Sequence, residues 1–325
     1  MPRVTVSAGA RIHAGFCNLS LARERLYRGV GLGLEQPRVT LSAEPADDVH
    51  APSGIFENYA RRTCEILDLP GATIDVEERL PRHVGLGSGT QTALSVYTAI
   101  ARAHDQQPTP REHAPVLGRG GRSGVGVATF ERGGFVLDAG QPSERYTDAV
   151  PHRGDWQVPP VAVRHELPDR WRIVLAIPDA DPGLEGEAEE RSMRSAVQND
   201  QSALAAEIAD LVDDRLLPSA SPAELEAFGS ALSEFNRLNG AWYTAGQEGA
   251  FSDPAGRIIE QMADAEAVAG IGQSSWGPAV WILTDNDQAT RVKTRLEKTN
   301  ENDFSTLDVS ILRIARRGRT ETFHR

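Results

Sequence analysis

Hydrophobic and polar positions alternate along the first forty residues. "RVTVSAGARIHAG" and "GVGLGLEQPRVTLSA" share a partial period of two, with glycine in the connection, and read as strands. Ile55, Tyr59, Ile66 and Leu67 fall near one face of a helix over about 53–68. "ATIDVEERL" sets Ile74 and Val76 against Asp75 and Glu77, as a half-buried strand does. Ala93, Leu94, Tyr97, Ile100 and Ala101 recur at helical spacing, and "VGVATFERGGFVLDAG" reads as a hairpin turning at Gly133-Gly134. Pro151, Pro159, Pro160 and Pro168 mark a joint before the strand "RWRIVLAIP". A mostly helical stretch follows over about 186–270, with breaks near Pro218 and Gly249–Pro254. The chain ends on the strand "PAVWILT", a helix and the strand "TLDVSILRIA". The expected class is α+β in two halves, residues 1–160 and 161–325. The second, reading strand, helices, strand, helix, strand, fits a ferredoxin-like layer.

Composition narrows the function. The chain has 325 residues and a net charge of −12, which disfavours nucleic acid and anionic membrane as partners. No apolar run reaches the ~18 residues of a span, and "MPRVTVSAGA" lacks a secretory signal's regions, so the expected location is cytoplasmic. Cys17 and Cys64 alone suit a reduced compartment, and no C-x-x-C or H-x-x-x-H spacing suggests structural zinc. Only Lys293 and Lys298 are lysine among 34 basic residues. This fits a salty cytoplasm or a genomic bias towards arginine, and the sequence leaves both open.

The densest chemistry is "RHVGLGSGTQTAL", Arg82 to Leu94. It is no Walker A loop, because Thr90 rather than lysine follows Gly89. It is no dinucleotide fingerprint, because Thr90 stands where the third glycine belongs. What remains is an anion site at a helix start. Glycines let the backbone approach a ligand, and Ser88 with Gln91 has capping-box form. The bland alternative is a tight turn with no ligand. Two further glycine-rich segments are "GRGGRSGVGVATFERGG", from Gly118, and "GIGQSSWGPAVWIL", from Gly270.

Three such segments in this order resemble the GHMP kinase superfamily, whose pattern P-x-x-x-G-L-G-S-S/G is matched by Pro81, Gly85, Leu86, Gly87, Ser88 and Gly89. The resemblance implies an N-terminal α/β domain of the ribosomal S5 domain 2 type and a ferredoxin-like C-terminal domain. Kinases of the mevalonate and galactose branches carry a catalytic aspartate in P-S-G-x-D; here Arg122-Ser123-Gly124-Val125-Gly126 ends on glycine. The chain is more similar to the β-ribofuranosylaminobenzene 5'-phosphate synthase family of methanopterin biosynthesis, through "RIHAGF", "GVGLGLEQPR", "HVGLGSGTQ", "GRGGRSGVGVATFERGGFVLDAG" and "GQSSWGPAVW". That resemblance implies condensation of 4-aminobenzoate or 4-hydroxybenzoate with phosphoribosyl pyrophosphate, with release of carbon dioxide and pyrophosphate. By analogy it also suggests a homodimer.

Departure of pyrophosphate asks for magnesium and for donors aimed at phosphate charge. Gly85, Leu86, Gly87, Ser88, Gly89, Thr90 and Gln91 are the expected phosphate cradle, with Arg119, Ser123, Gly124, Gln273, Ser274 and Ser275 around it. Arg122, like Arg119, is a candidate clamp for phosphate or carboxylate; exposed arginines are the ordinary alternative. His13 is a candidate acid or substrate contact, although a histidine in a strand is commonly a satisfied core residue. Arg11, Glu35 and Arg38 are candidate substrate contacts, and Glu35 and Asp138 candidate magnesium ligands. Trp276 and Trp281 read as core, Trp276 also as a contact to an aromatic ligand, and the acidic run Glu185 to Ser192 as a solvated helix start. The alternatives are an ATP-dependent small-molecule kinase and a non-catalytic ligand-binding homologue.

Overall fold

The computed structural model describes residues 2–147, 149–180, 186–199, 201–243, 250–300 and 306–324. In chain order the elements begin with β1 (Arg3–Asn18), β2 (Arg25–Pro45), α1 (Ile55–Leu67), β3 (Ala72–Glu78), α2 (Ser88–Ala103) and α3 (Pro110–His113). Then come α4 (Val125–Arg132), β4 (Phe135–Asp138), β5 (Gln141–Pro142), β6 (Val161–His165) and β7 (Trp171–Pro178). Helices α5 (Gly186–Gln198), α6 (Ser202–Leu211), α7 (Leu217–Ala220), α8 (Leu225–Ala241) and α9 (Asp253–Met262) follow. The chain closes with β8 (Gly270–Gln273), β9 (Val280–Asp285), α10 (Asn286–Asn300), β10 (Leu307–Arg313) and β11 (Thr320–His324).

The first sheet runs β11-β1-β2-β4-β6, with β3 and β5 also on β2. It therefore draws strands from both ends of the chain. Along β1, Val4, Val6, Ala8, Ala10 and Ile12 point to the core and the residues between them outward, until His13 breaks the alternation by being buried as well. Register shifts flank this point, between Gly9 and Arg11 and between His13 and Gly15. Such irregularities re-aim side chains. Helix α2 covers the sheet and is buried from Gln91 to Ala101, so the expected apolar face extends nearly all round. In α1 the buried stripe is Phe56, Ala60, Thr63 and Cys64, while Ile55, Tyr59, Ile66 and Leu67 are half-buried.

The second sheet has the order β10-β7-β9-β8, all antiparallel, which is the ferredoxin-like arrangement. Strand β7 reads as a continuous apolar run because both faces are covered. Trp171, Ile173 and Leu175 join the large core shared with the first sheet, while Val174 and Ala176 pack under α9 and α10. Phe228 of α8 ties the layers together, with ring centroids 5.2 Å from Phe135 and 5.4 Å from Trp171.

Three sequence expectations change. Residues 125–132 form helix α4 rather than the first arm of a hairpin. Asp138 accepts the Gly124 N–H at 2.7 Å and Ser123 caps Val125, which starts a helix whose Val125, Val127, Ala128 and Phe130 are all buried. The helix does not break at Pro218, because a π-type turn over Val212–Leu216 carries the chain into α7 and the interruption comes at residues 221–224. "GIGQ", in a glycine-rich segment where the pattern placed no strand, is an edge strand, β8. Among the described residues no helix is long and apolar enough to cross a membrane.

Candidate functional site

Helix α2 begins without the expected capping box. Gly87 is the N-cap, at φ 73°, and its carbonyl accepts from both Thr90 and Gln91. Ser88 and Gly89 therefore lead the first turn, where amide groups lack intrahelical acceptors. Gln91 points away from this opening: it is fully buried and donates to the Gly126 carbonyl at 2.9 Å, joining α2 to α4. Thr90 packs against Gly126 from the same side. The glycine in the kinase-aspartate position is thus a point of close helix–helix approach. Leu86 buries its side chain, and its carbonyl receives the Arg11 N–H at 3.1 Å.

Two guanidinium groups, Arg11 and Arg119, lie across this helix start. Arg11 donates to the Gly85 carbonyl at 2.9 Å, and a side chain at Gly87 would meet its Cγ at 2.8 Å. Arg119 is held against the Tyr59 hydroxyl and stands so close to Gly89 that a Cβ there would meet its Cζ at 2.8 Å. Arg122 pairs with Glu189 at 3.1 Å and more loosely with Glu190 at 3.7 Å. The acidic run is therefore no purely solvated helix start, although Glu185 lies outside the described residues. Arg11 Nε and Arg122 Nη1 are buried donors without a hydrogen-bond partner. Burial lowers the Arg11 guanidinium to about 10, which leaves it a cation at neutral pH.

His13 sits among these charges. Its Nε2 is 3.1 Å from Ser123 Oγ, which donates to Asp138 Oδ2 at 3.0 Å. Since that hydroxyl proton goes to the carboxylate, His13 Nε2 must donate, which leaves Nδ1 as the ring's lone-pair nitrogen. Burial first, then Arg11 and Arg122, push the imidazole well below its usual value, so it is neutral at pH 7. Gly29 makes the network possible, because a Cβ there would run into Ser123 Oγ and lie 3.0 Å from His13 Nε2.

Asp138 is the anchor of this group. Its oxygens accept from the amides of Gly29, Gly124 and Gly140 and from Ser123, at 2.7–3.0 Å. Burial pushes its carboxyl up while these bonds oppose the shift. All four acceptor positions are occupied, so it has none to offer a magnesium ion, and the Gly124 amide and Ser123 hydroxyl are likewise spent on Asp138 rather than on a phosphate. Glu35 is exposed and six residues along β2 from Gly29, about 20 Å away at strand rise. Arg38 pairs across from Gly9 and bonds Ser7 at 2.5 Å. Glu35 lies two residues past Gly33, the β2 partner of Arg11, but among the described residues neither it nor Arg38 hydrogen-bonds to a residue of the site. Among the described residues no group of three or more histidine, cysteine or acidic side chains is placed to hold a metal. The expected magnesium set does not fit this arrangement.

The turn after β8 is stitched onto the cradle. Ser274 donates to the Gly85 carbonyl at 2.7 Å and accepts the His13 N–H at 3.1 Å, while Ser275, at φ 55°, donates its N–H to the His13 carbonyl. Gln273 spends its amide on the Gly277 carbonyl and the Ser252 N–H. Trp281 is core, as expected; Trp276 is half-buried and meets Tyr243 edge to face at 4.3 Å.

A cavity of about 390 Å³ opens beside His13, between β1, α8 and this turn. Its aromatic walls are Phe16, Tyr243, Phe251 and Trp276. The sequence patterns do not single out this cavity. One signal was present: Asn236 and Asn239 lie on the buried face of α8, and buried amides on an apolar helix face must have a task. Asn236 bonds the carbonyls of Ala14 and Gln273, and Asn239 accepts the Phe16 N–H, which fixes α8 against β1.

Residues 54–134 match the model of the GHMP kinases N terminal domain. Over the whole fold the chain superposes on a homoserine kinase from Cytophaga hutchinsonii with a TM-score of 0.70 at 16% identity, covering 98% of this chain and 97% of that one. A mevalonate diphosphate decarboxylase from Staphylococcus aureus gives 0.67 at 12% identity, with 99% and 98% covered. These likenesses show the fold alone. Sequence similarity is more specific. A β-ribofuranosylphenol 5'-phosphate synthase of Methanothermobacter thermautotrophicus is 33% identical over 301 residues, covering 86% of this chain and 88% of its own length. The protein of the same name from Archaeoglobus fulgidus is 34% identical over 284 residues, covering 86% and 87%. With the cradle, the His13 network and this similarity together, the chain belongs to the β-ribofuranosylphenol 5'-phosphate synthase family and is an enzyme built on the GHMP kinase fold.

Proposed function

We propose that this enzyme joins a 4-substituted benzoate, 4-hydroxybenzoate or 4-aminobenzoate, to phosphoribosyl pyrophosphate and forms an aryl C-riboside 5'-phosphate. The ring carbon bearing the carboxylate attacks the anomeric carbon, and the bond from that carbon to the diphosphate oxygen breaks with its electron pair on the leaving group. Carbon dioxide then departs and leaves its bonding pair in the ring, which restores aromaticity. No ring proton has to be removed, so the absence of a kinase-type aspartate is no obstacle.

The observation that carries this reading is the pair of buried, unpartnered donors, Arg11 Nε beside Gly87 at the α2 start and Arg122 Nη1 on the second cation that acts on His13. Buried guanidinium donors without acceptors are costly, and an anionic ligand is one group that satisfies them. A diphosphate supplies acceptors for both, and Arg119 adds a third cation beside Gly89. These groups stabilise charge that grows as the leaving group departs, in a site with little water. Neutral His13, held through Nε2, keeps Nδ1 available to accept a hydrogen bond from the sugar or the acceptor. Asp138 has no acceptor position left for a magnesium ion, so the charge of the leaving group falls to the guanidinium groups.

The test is to incubate the enzyme with phosphoribosyl pyrophosphate, each benzoate and a magnesium salt, and to follow carbon dioxide and diphosphate. Equal release of both is expected, with no product from ATP. Phosphoryl transfer from ATP to a small alcohol, with no response to the phosphoribosyl donor, would replace this reading with a kinase. Donor binding with no release across the benzoates would replace it with a ligand-binding role.

A further inference from the structure

The cavity beside His13 differs in chemistry from everything around it. Among the described residues no aspartate, glutamate, lysine or arginine lines it. Its amide side chains are spent on the backbone: Asn236 on Ala14 and Gln273, Asn239 on Phe16, and Gln273 on Gly277 and Ser252. The rest of the lining includes a wall of four rings, two of them braced against each other, His13 and Ser275 at one side, and one buried hydroxyl, Ser252 Oγ, without a partner. A cavity of ~150 Å³ holds benzene. At about 390 Å³ this one has room for a substituted ring and part of a sugar.

We propose that this cavity is the acceptor subsite, which takes the aryl ring with its para hydroxyl or amine at Ser252 and its carboxylate-bearing carbon at the His13 end. The assignment rests on the synthase reading above. The orientation follows from charge. A carboxylate has no cation inside the cavity and would be costly there. At the His13 end it meets the field of Arg11 and Arg122, the two cations that act on His13. The para substituent finds at Ser252 a buried hydroxyl without a partner, which can both donate to and accept from it. In this orientation the carbon that must form the new bond faces the cradle holding the leaving diphosphate.

Calorimetric titration of the full chain tests this directly, with 4-hydroxybenzoate and inorganic diphosphate as separate probes. The expected result is that Trp276→Ala weakens the aryl probe at least 10-fold and Ser252→Ala about 3- to 10-fold, while both bind diphosphate within 2-fold of wild type. Arg119→Ala should show the reverse pattern. Thermal melts accompany each variant, and the small Ser252→Ala change tests the site even if Trp276→Ala fails to fold. No aryl binding to the wild-type protein, or Ser252→Ala binding the aryl probe as wild type does, overturns the assignment. The two readings fail separately. Aryl binding as expected with no carbon dioxide from the phosphoribosyl donor sinks the synthase and leaves an aryl site. Turnover with an aryl KM unmoved in both variants sinks the cavity and leaves the synthase.

Discussion

The loop at residues 85–89 and the turn at residues 273–278 have similar compositions, glycine with serine between apolar residues, yet they use their polar groups in opposite ways. In the first, Arg11 and Arg119 lie over Gly87 and Gly89, and the leading amides of α2 open towards them. In the second, Gln273, Ser274 and Ser275 are spent on Gly277, Gly85 and His13. One loop presents charge and the other knits the second sheet to the first. Glycine content alone does not separate the roles; the neighbouring guanidinium groups do.

Gly277 gives the largest expected effect. A Cβ there would collide with the Val84 carbonyl group and the Gly85 amide, which are backbone and cannot swing aside. Gly277→Val should therefore destabilise the protein by more than ~3 kcal/mol, read as a lowered denaturation midpoint. In Gly87→Val the clash is with the flexible Arg11 side chain, and the positive φ adds ~1–3 kcal/mol of strain. Here we expect a folded protein whose turnover falls about 100-fold or more, since the main loss is of transition-state charge stabilisation. If the two variants lose stability and turnover in parallel, the distinction between presenting and knitting loops is wrong.

The guanidinium groups sharpen the comparison next. Arg11→Ala and Arg122→Ala each remove a partly buried cation with a buried, open donor atom, and each should lower kcat/KM for the proposed phosphoribosyl donor by about 10²-fold. Aryl affinity should move far less. Steady-state kinetics with each substrate varied in turn would check this, and unchanged donor kinetics would remove the cradle assignment.

Local patterns were legible and long-range partners were not. The period of two in β1 and β7 and the helical period of α2 come from burial against a continuous core, so they are written residue by residue. Residues 125–132 misled because a short apolar run suits strand and helix alike; Asp138, the cap that decides, stands on β4 and cannot be recognised from spacing. The grouping of Arg11, His13, Gly87, Gly89, Arg119 and Arg122 followed from glycine-rich segments in a familiar order. Glu35, Arg38 and Gln91 looked equally suitable as polar residues near glycine or proline, but pairing register and helix phase turned them elsewhere. The cavity draws on residues 16, 243, 251 and 276, and no local pattern connects positions so far apart.

His13 supplies an expected pH dependence. Its folded value lies well below the ordinary ~6.5, so the unfolded chain takes up a proton first as the pH falls. Stability is full above about pH 6.5 and declines below it, by up to ~1.4 kcal/mol per pH unit until the folded value is reached. His13→Asn removes the titrating group and should flatten that part of the curve. Melting temperatures of both proteins between pH 5 and 8 would show it, and parallel curves would mean that His13 is not the neutral, buried group described.

The smallest expected effect concerns the ion pair between Arg122 and Glu189. Arg122 and Glu189 are each about one-third exposed or less, at 27% and 31%, and 3.1 Å apart. Pairs with this much solvent contribute on the order of 0.2–1 kcal/mol. A phosphate that takes Arg122 must displace or share with Glu189, so the carboxylate competes with the ligand and adds repulsion. Glu189→Gln keeps the shape and removes the charge. It should tighten diphosphate binding about 2- to 5-fold at low salt and by less as ionic strength rises. In an Arg122→Ala background the same change should have little effect, because the contested cation is gone. Equal tightening in both backgrounds would mean that Glu189 acts through the general field of an acidic chain rather than through Arg122.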